Sequence, residues 1–354
     1  MEQSSARRLG WDEDMAHCTR RPPRAGFVGG RGQSAGMDAP IWPRPLPAGG
    51  TIGICSPSGP SDPGALDRAA EALRSRGYRV VLAPGAADRH PDLDYLAGTD
   101  ARRADDLNRL FADPDIDLVL CARGGYGAAR LLDRLDFEAI RRDPKPLVGY
   151  SDITALNLAL WARAGVISYS GIMATAGDGF GEETLDPFSE AGFFDAVSSG
   201  QGAELGSPPE SRPRVVRPPA SGVATLSGRL MPVCLTLLES LASTPYVPPP
   251  DGALLLIEDV HEPPYAVDRA LTQLRLSGFL DRLSGVLVGT FTGGPEPDGE
   301  FGHQVAELVA TLAGAHVPVV SGIAYGHVPR RLTLPCGADA VFDTETASFR
   351  FAQG

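Results

Sequence analysis

The apolar positions of the chain change period repeatedly from residue 51 onward, and each change predicts an element. "TIGICS" is a short apolar run bounded by Gly and Ser, the pattern of a buried strand. "GALDRAAEALRSRG" then sets Leu66, Ala69, Ala70 and Leu73 on one helical face, with Gly77 placed as a C-cap. "YRVVLA" predicts the next strand, and "DIDLVLCARGGYGAARLLDRL" and "KPLVGYSDITALNLALWARAG" each run strand, turn, helix. Strands alternating with helices predict a doubly wound parallel sheet, here an N-terminal domain over residues 48–177.

The flanking texture differs. Residues 1–47 have no apolar period and mix Arg, Gly, Pro and Ser, so they are expected to form a disordered extension. Met37 precedes the first ordered-looking stretch, which suggests it as an alternative start. Residues 178–225, rich in Gly, Pro, Ser and acid, read as a linker or mobile excursion. A second α/β unit is expected over 226–354. "ALLLIEDV" predicts a strand and "YAVDRALTQLRLSG" a helix with Val267, Leu271 and Leu274 on one face. "GVLVGT" is a further strand, and "HQVAELVATLAG" a helix carrying Val305, Leu308, Val309 and Leu312. "VPVVSG" leads into "YGHVPRRLTLPCGADAVFD", whose Pro and Gly interruptions suit short, bent strands.

Charge narrows the possible partners. With 32 basic and 44 acidic residues, net −12, the chain lacks the basic stripe of a nucleic-acid or anionic-membrane binder. No apolar run approaches the ~18 residues that span a bilayer. The start has no basic region followed by an apolar one, so a cytoplasmic protein is expected. Cys18, Cys55, Cys121, Cys234 and Cys336 are scattered and odd in number, which predicts reduced thiols and no disulfide framework. The histidines have no metal-ligand spacing, so neither a metal nor another cofactor is expected.

Four places could carry chemistry. Ser151, in "LVGYSDITALNL", stands at a strand-to-helix turn, either as a helix cap or as an exposed nucleophile. The second glycine of a G-x-S-x-G elbow is absent. In "ARGGYGAAR", Gly124, Gly125 and Gly127 form either a plain tight turn or a loop whose N–H groups face an anion. Glu258 closes an apolar strand, where a carboxylate needs a partner; Arg269 is one candidate. His327 follows another strand-like stretch and reads as a surface histidine or a base. Together Ser, His and Glu suffice for acyl transfer, although spacing alone does not bring them together.

In this order, "GYSDITAL", "IEDVHEPPYAVDRALTQLRLSG" and "GHVPRRLTLPCGA" resemble the LD-carboxypeptidase family of serine peptidases, which includes murein tetrapeptide carboxypeptidases and microcin C immunity proteins. The likeness runs from "GTIGICSPSGP" to about Phe349. The resemblance implies a catalytic triad of Ser151, His327 and Glu258, and an oxyanion hole from the N–H of Asp152 with one from Gly125. It also implies a nucleophile-bearing doubly wound domain, a β-rich C-terminal α/β domain and an active site at their interface. The expected protein is a metal-free cytoplasmic homodimer in peptidoglycan recycling, removing the terminal D-Ala of a murein tetrapeptide. The alternative within the family is an immunity-type hydrolase of peptidyl- or aminoacyl-nucleotides, for which Phe180, Phe188, Phe193 and Phe194 are candidate base-stacking groups. A silent ligand-binding protein and an α/β-hydrolase esterase are the readings outside it. Two segments depart from the family pattern: Met231-Pro232-Val233-Cys234 replaces Gly-Gly-Asn-Leu, and Ser170-Gly171-Ile172-Met173 replaces His-Gly-Pro-Met.

Overall fold

In the computed structural model, the described residues are 39–177, 179–182, 185–199, 204–208, 211–220, 222–293 and 298–352. Most of the expected N-terminal extension, Met37 included, lies outside them, as does Cys18. Residues 39–47 depart from the expected disorder. Ile41 bridges Val166, donating its N–H to the Gly165 carbonyl, and Leu46 is buried. Two well-placed apolar side chains anchor this Pro-rich stretch to the first core.

The first half alternates as its periodicity requires: β1 (Thr51–Cys55), α1 (Pro63–Ser75), β2 (Arg79–Leu82), α2 (Asp100–Ala112), β3 (Leu118–Cys121), α3 (Phe137–Arg142), β4 (Leu147–Val148), α4 (Thr154–Ala159) and β5 (Ser168–Ser170). Asp62 and Thr99 cap α1 and α2 by accepting from N–H groups of their first turns. The five strands pair in parallel in the order β2-β1-β3-β4-β5. That order reverses direction between β1 and β3, the place where doubly wound sheets open a crevice at their carboxyl ends.

The second half contains α5 (Pro187–Ser199), β6 (Glu204–Gly206), β7 (Arg214–Arg217), β8 (Thr225–Cys234), α6 (Leu235–Leu241), β9 (Ala253–Val260), α7 (Pro264–Leu276), β10 (Gly285–Thr292), α8 (Asp298–Leu312), β11 (Val319–Ser321), β12 (Leu334–Cys336), β13 (Asp339–Asp343) and β14 (Ser348–Phe351). Its sheet runs β6-β14-β13-β8-β9-β10-β11-β7, with β8 to β11 mutually parallel. Successive residues of β9 face opposite cores. Leu255 and Ile257 pack with Val267 and Leu271 of α7, while Leu254 and Leu256 pack with Leu334, Phe342 and Phe349.

The expected linker over 178–225 is corrected for its described residues. Phe193 and Val197 of α5 are buried in the first core, and β6 and β7 close the two edges of the second sheet. Short edge strands such as "RVVR" carry too little apolar pattern to stand out among Pro and Gly. A second crossing links the halves: β12 leaves the C-terminal half to pair antiparallel with β5.

Candidate active site

Three loops meet at the carboxyl ends of β1, β3 and β4. Arg103, 2 % exposed, fastens the first two to each other and to the segment before α2 by donating to the carbonyls of Pro57, Gly127 and Gly98. Asp152 joins the third. Its Oδ2 accepts from Ser58 Oγ at 2.6 Å and from the Ala128 N–H at 2.8 Å, and burial raises its pKa above the ordinary carboxylate value. The side chain beside Ser151 is therefore an internal tie, leaving the serine to face outward.

Ser151 has φ +63°, a left-handed conformation that costs an L-residue roughly 1–2 kcal/mol. It opens a short 3-10 turn (Ser151–Ile153) ahead of α4, where Tyr150 is the capping position, so the helix-cap reading does not hold. Gly124 makes room for it: a Cβ there would lie 2.9 Å from Ser151 Cβ and 3.1 Å from its Oγ. The neighbouring Gly125 has φ +117°.

Glu258, third from the end of β9, is 1 % exposed, and burial pushes its pKa up while the bond to His327 opposes the shift. Its partner is His327, not Arg269: His327 Nδ1 lies 2.7 Å from Glu258 Oε2. That contact suits an imidazole whose Nδ1–H donates to the carboxylate, leaving the Nε2 lone pair free. The Tyr150 ring meets the His327 ring edge-on at 5.0 Å, and the Arg331 guanidinium lies 3.8 Å from the centre of the same tyrosine. Arg331 also donates to the Val328 carbonyl, which steadies the loop that holds the histidine.

Ser151 and His327 line one cavity of about 220 Å³, together with Gly124, Gly125, Tyr150 and Thr175. The structure thus brings the serine and histidine to one space, with the glutamate behind the histidine. Arg123 also lines it. The sequence signal for that residue was its place at the head of the Gly-rich loop, but no role followed from the pattern alone.

Of the departures from the family pattern, Ser170 bonds Tyr325 at 2.5 Å between their hydroxyls, while Cys234 donates its N–H to Thr154 Oγ1 at 3.2 Å and its Sγ lies 3.4 Å from Asp259 Oδ1. Both segments connect the halves near the site. Phe180, Phe193 and Phe194 pack on one another in the first core, with Phe180 and Phe193 buried, so these two are not available to stack on a base. Cys55, Cys121, Cys234 and Cys336 are free and buried, and no metal-holding group of His, Cys, Asp or Glu occurs among the described residues. No helix among them is long and apolar enough to cross a membrane.

Comparison with known proteins agrees along most of the chain. Residues 52–171 match the LD-carboxypeptidase N-terminal domain and residues 227–342 the LD-carboxypeptidase C-terminal domain. A putative carboxypeptidase of Streptomyces coelicolor is 40% identical over 87% of this chain and 95% of its own length. A probable murein peptide carboxypeptidase of Bacillus subtilis is 33% identical over 85% and 91%. Among solved structures, muramoyltetrapeptide carboxypeptidase from Oxalobacter formigenes superposes with TM-score 0.72 at 29% identity, covering 86% of this chain and 99% of that one. An inactive mutant of a microcin C7 self-immunity protein, in its apo state, superposes with TM-score 0.75 at 25% identity, covering 89% and 99%.

Proposed function

Because the chain belongs to the LD-carboxypeptidase family, we propose that it is a serine LD-carboxypeptidase that removes the terminal D-Ala of a murein tetrapeptide. The observation that carries this reading is the 2.7 Å contact of His327 with Glu258 beside a cavity that Ser151 shares. Glu258 fixes the tautomer of His327 and steadies the imidazolium. His327 Nε2 takes the Ser151 proton as Oγ attacks the carbonyl, then gives it to the leaving amine. Water activated by the same nitrogen clears the acyl-enzyme. The N–H groups of Asp152 and Gly125 stabilise the oxyanion; one such donor contributes about 10²–10³ in rate. Arg123, lining the same space, reads the free carboxylate of the leaving residue. The protein works as a cytoplasmic homodimer in peptidoglycan recycling.

The test is incubation with a tetrapeptide ending in D-Ala, beside its all-L counterpart, with loss of the terminal residue followed by mass spectrometry. Release from the D-ended peptide alone, absent in Ser151→Ala, is the expected result. Release from neither, with cleavage of an aminoacyl-nucleotide instead, overturns this reading in favour of an immunity-type hydrolase. The buried Phe180 and Phe193 favour the peptide. Light scattering during gel filtration reads the dimer.

A further inference from the structure

A second cavity adjoins the loop that carries His327. It measures about 670 Å³ and opens where β10 and β11 end, with Val328, Pro329 and Arg330 as one wall. Consecutive Cα atoms are about 3.8 Å apart, so a ligand that passes His327 reaches this wall within a residue or two.

The charge around it is unusual for a chain of net −12. Arg212, Arg214 and Arg330 line the cavity with His303, against Asp186 and Glu300. Arg330 is paired with Asp186 at 3.2 Å. Arg212 and Arg214 are exposed, Arg214 opening β7 and Arg212 two residues before it, and the Arg212 guanidinium donates to the Ser211 carbonyl at 2.8 Å. Their backbone is built into the wall. The Arg212 N–H donates to the Gly322 carbonyl at 2.9 Å, and the Ser211 hydroxyl accepts from the Ala324 N–H at 3.1 Å. Ser321, paired with Arg214 across the sheet, is bonded in turn to His303 Nδ1 at 3.1 Å. An edge strand too short to contribute much to the core, with the segment just before it, thus places Arg214 and Arg212 at the lining of a cavity.

We propose that this cavity is the subsite for the part of the peptide that stays on Ser151, and that Arg212 and Arg214 bind a carboxylate on that part. The inference rests on the peptidase reading above and adds which substrates are preferred. A guanidinium matches a carboxylate with two parallel N–H···O bonds, and an amide in the same place loses that match. A bond to a charged group contributes about 1.5–3 kcal/mol. The preference for the acid over its carboxamide is therefore expected to be at least about tenfold in kcat/KM.

The experiment compares two D-Ala-ended tetrapeptides that differ only in whether the retained residues carry free carboxylates or carboxamides. The wild type is expected to prefer the acid about tenfold, and Arg212→Ala/Arg214→Ala to bring the ratio to about one. Because both peptides are read on the same sample, partial loss of folded protein cancels from the ratio. Equal cleavage of both by the wild type overturns the subsite while leaving the peptidase intact. A preference that survives in the double variant places the carboxylate elsewhere and overturns it as well. Cleavage of neither peptide is the failure of the peptidase reading, and the subsite falls with it.

Discussion

Adding one methyl group at Gly326 should disable the site without touching a reacting atom. Gly326 precedes His327 and has φ +125°, where an L-residue is strained by about 1–3 kcal/mol. Its Cβ would lie 2.8 Å from Glu258 Cβ, 2.9 Å from Glu258 Oε2 and 3.0 Å from the Thr290 carbonyl oxygen. Two of these atoms belong to the buried Glu258 side chain that holds the histidine, one of them its carboxylate oxygen, and the third is backbone. Relief therefore comes by moving Glu258 or the loop, and overpacking of this kind typically costs about 1–3 kcal/mol. Gly326→Ala should lose about 2–6 kcal/mol in total, seen as a melting midpoint lowered by roughly 3–8 °C. A displacement near 1 Å in catalytic geometry costs about 10²-fold in rate, so kcat for D-Ala release at 25 °C should fall by that order. Calorimetry and a discontinuous release assay on the same sample read both. Wild-type kcat with an unchanged midpoint would refute the argument. A lowered midpoint with full kcat would place the strain away from the Glu258–His327 contact.

Other predictions follow from groups already placed. Glu258→Gln removes the carboxylate that orients His327 and should lower kcat by about 10³–10⁴. Burial raises the Glu258 pKa in the folded protein, so its ionisation opposes folding. That part of the stability is present below the ordinary value of 4.5 and is lost as pH rises through the folded pKa. The midpoint of Glu258→Gln should therefore gain on the wild type from pH 4 upward in denaturant titrations, and an opposite trend would contradict the burial argument. Arg123→Ala should raise KM about tenfold for peptides with a free terminal carboxylate, with a smaller change in kcat. It should leave KM for the terminal amide unmoved, and an equal rise for both would remove Arg123 from carboxylate recognition.

Much of the fold was legible because buried parallel strands read as compact apolar runs such as "DLVLC" and "ALLLIED", separated by helices with a clear apolar face. Leu66, Ala69, Ala70 and Leu73 are all buried on α1, as their spacing required. The pieces that escaped detection have little periodicity. Ile41 and Leu46 are two side chains amid prolines, and β6 and β7 are edge strands that need only a few residues. For the site, local pattern put Ser151 on a turn and Glu258 at a strand end but left helix capping and an Arg269 salt bridge open. The positive φ of Ser151 and the His327 contact come from tertiary structure, which no spacing encodes. Arg212 and Arg214 were invisible for the same reason: their meaning depends on the cavity they face.

The pairing of β12 with β5 also sets when the molecule can become whole during its synthesis. Ser170 is made near the middle of synthesis, yet the strand that covers the β5 edge emerges roughly 160 residues later, about 10–30 s at ribosomal speed. Throughout that interval a nascent chain presents an open sheet edge, a template for wrong pairing. Pro335, tolerated in a strand that lies at the sheet's rim, closes it last. His327 arrives in the same final stretch. A ribosome-bound chain thus carries its proposed nucleophile for about half of translation without the base that would arm it, and hydrolysis waits for a nearly finished polypeptide.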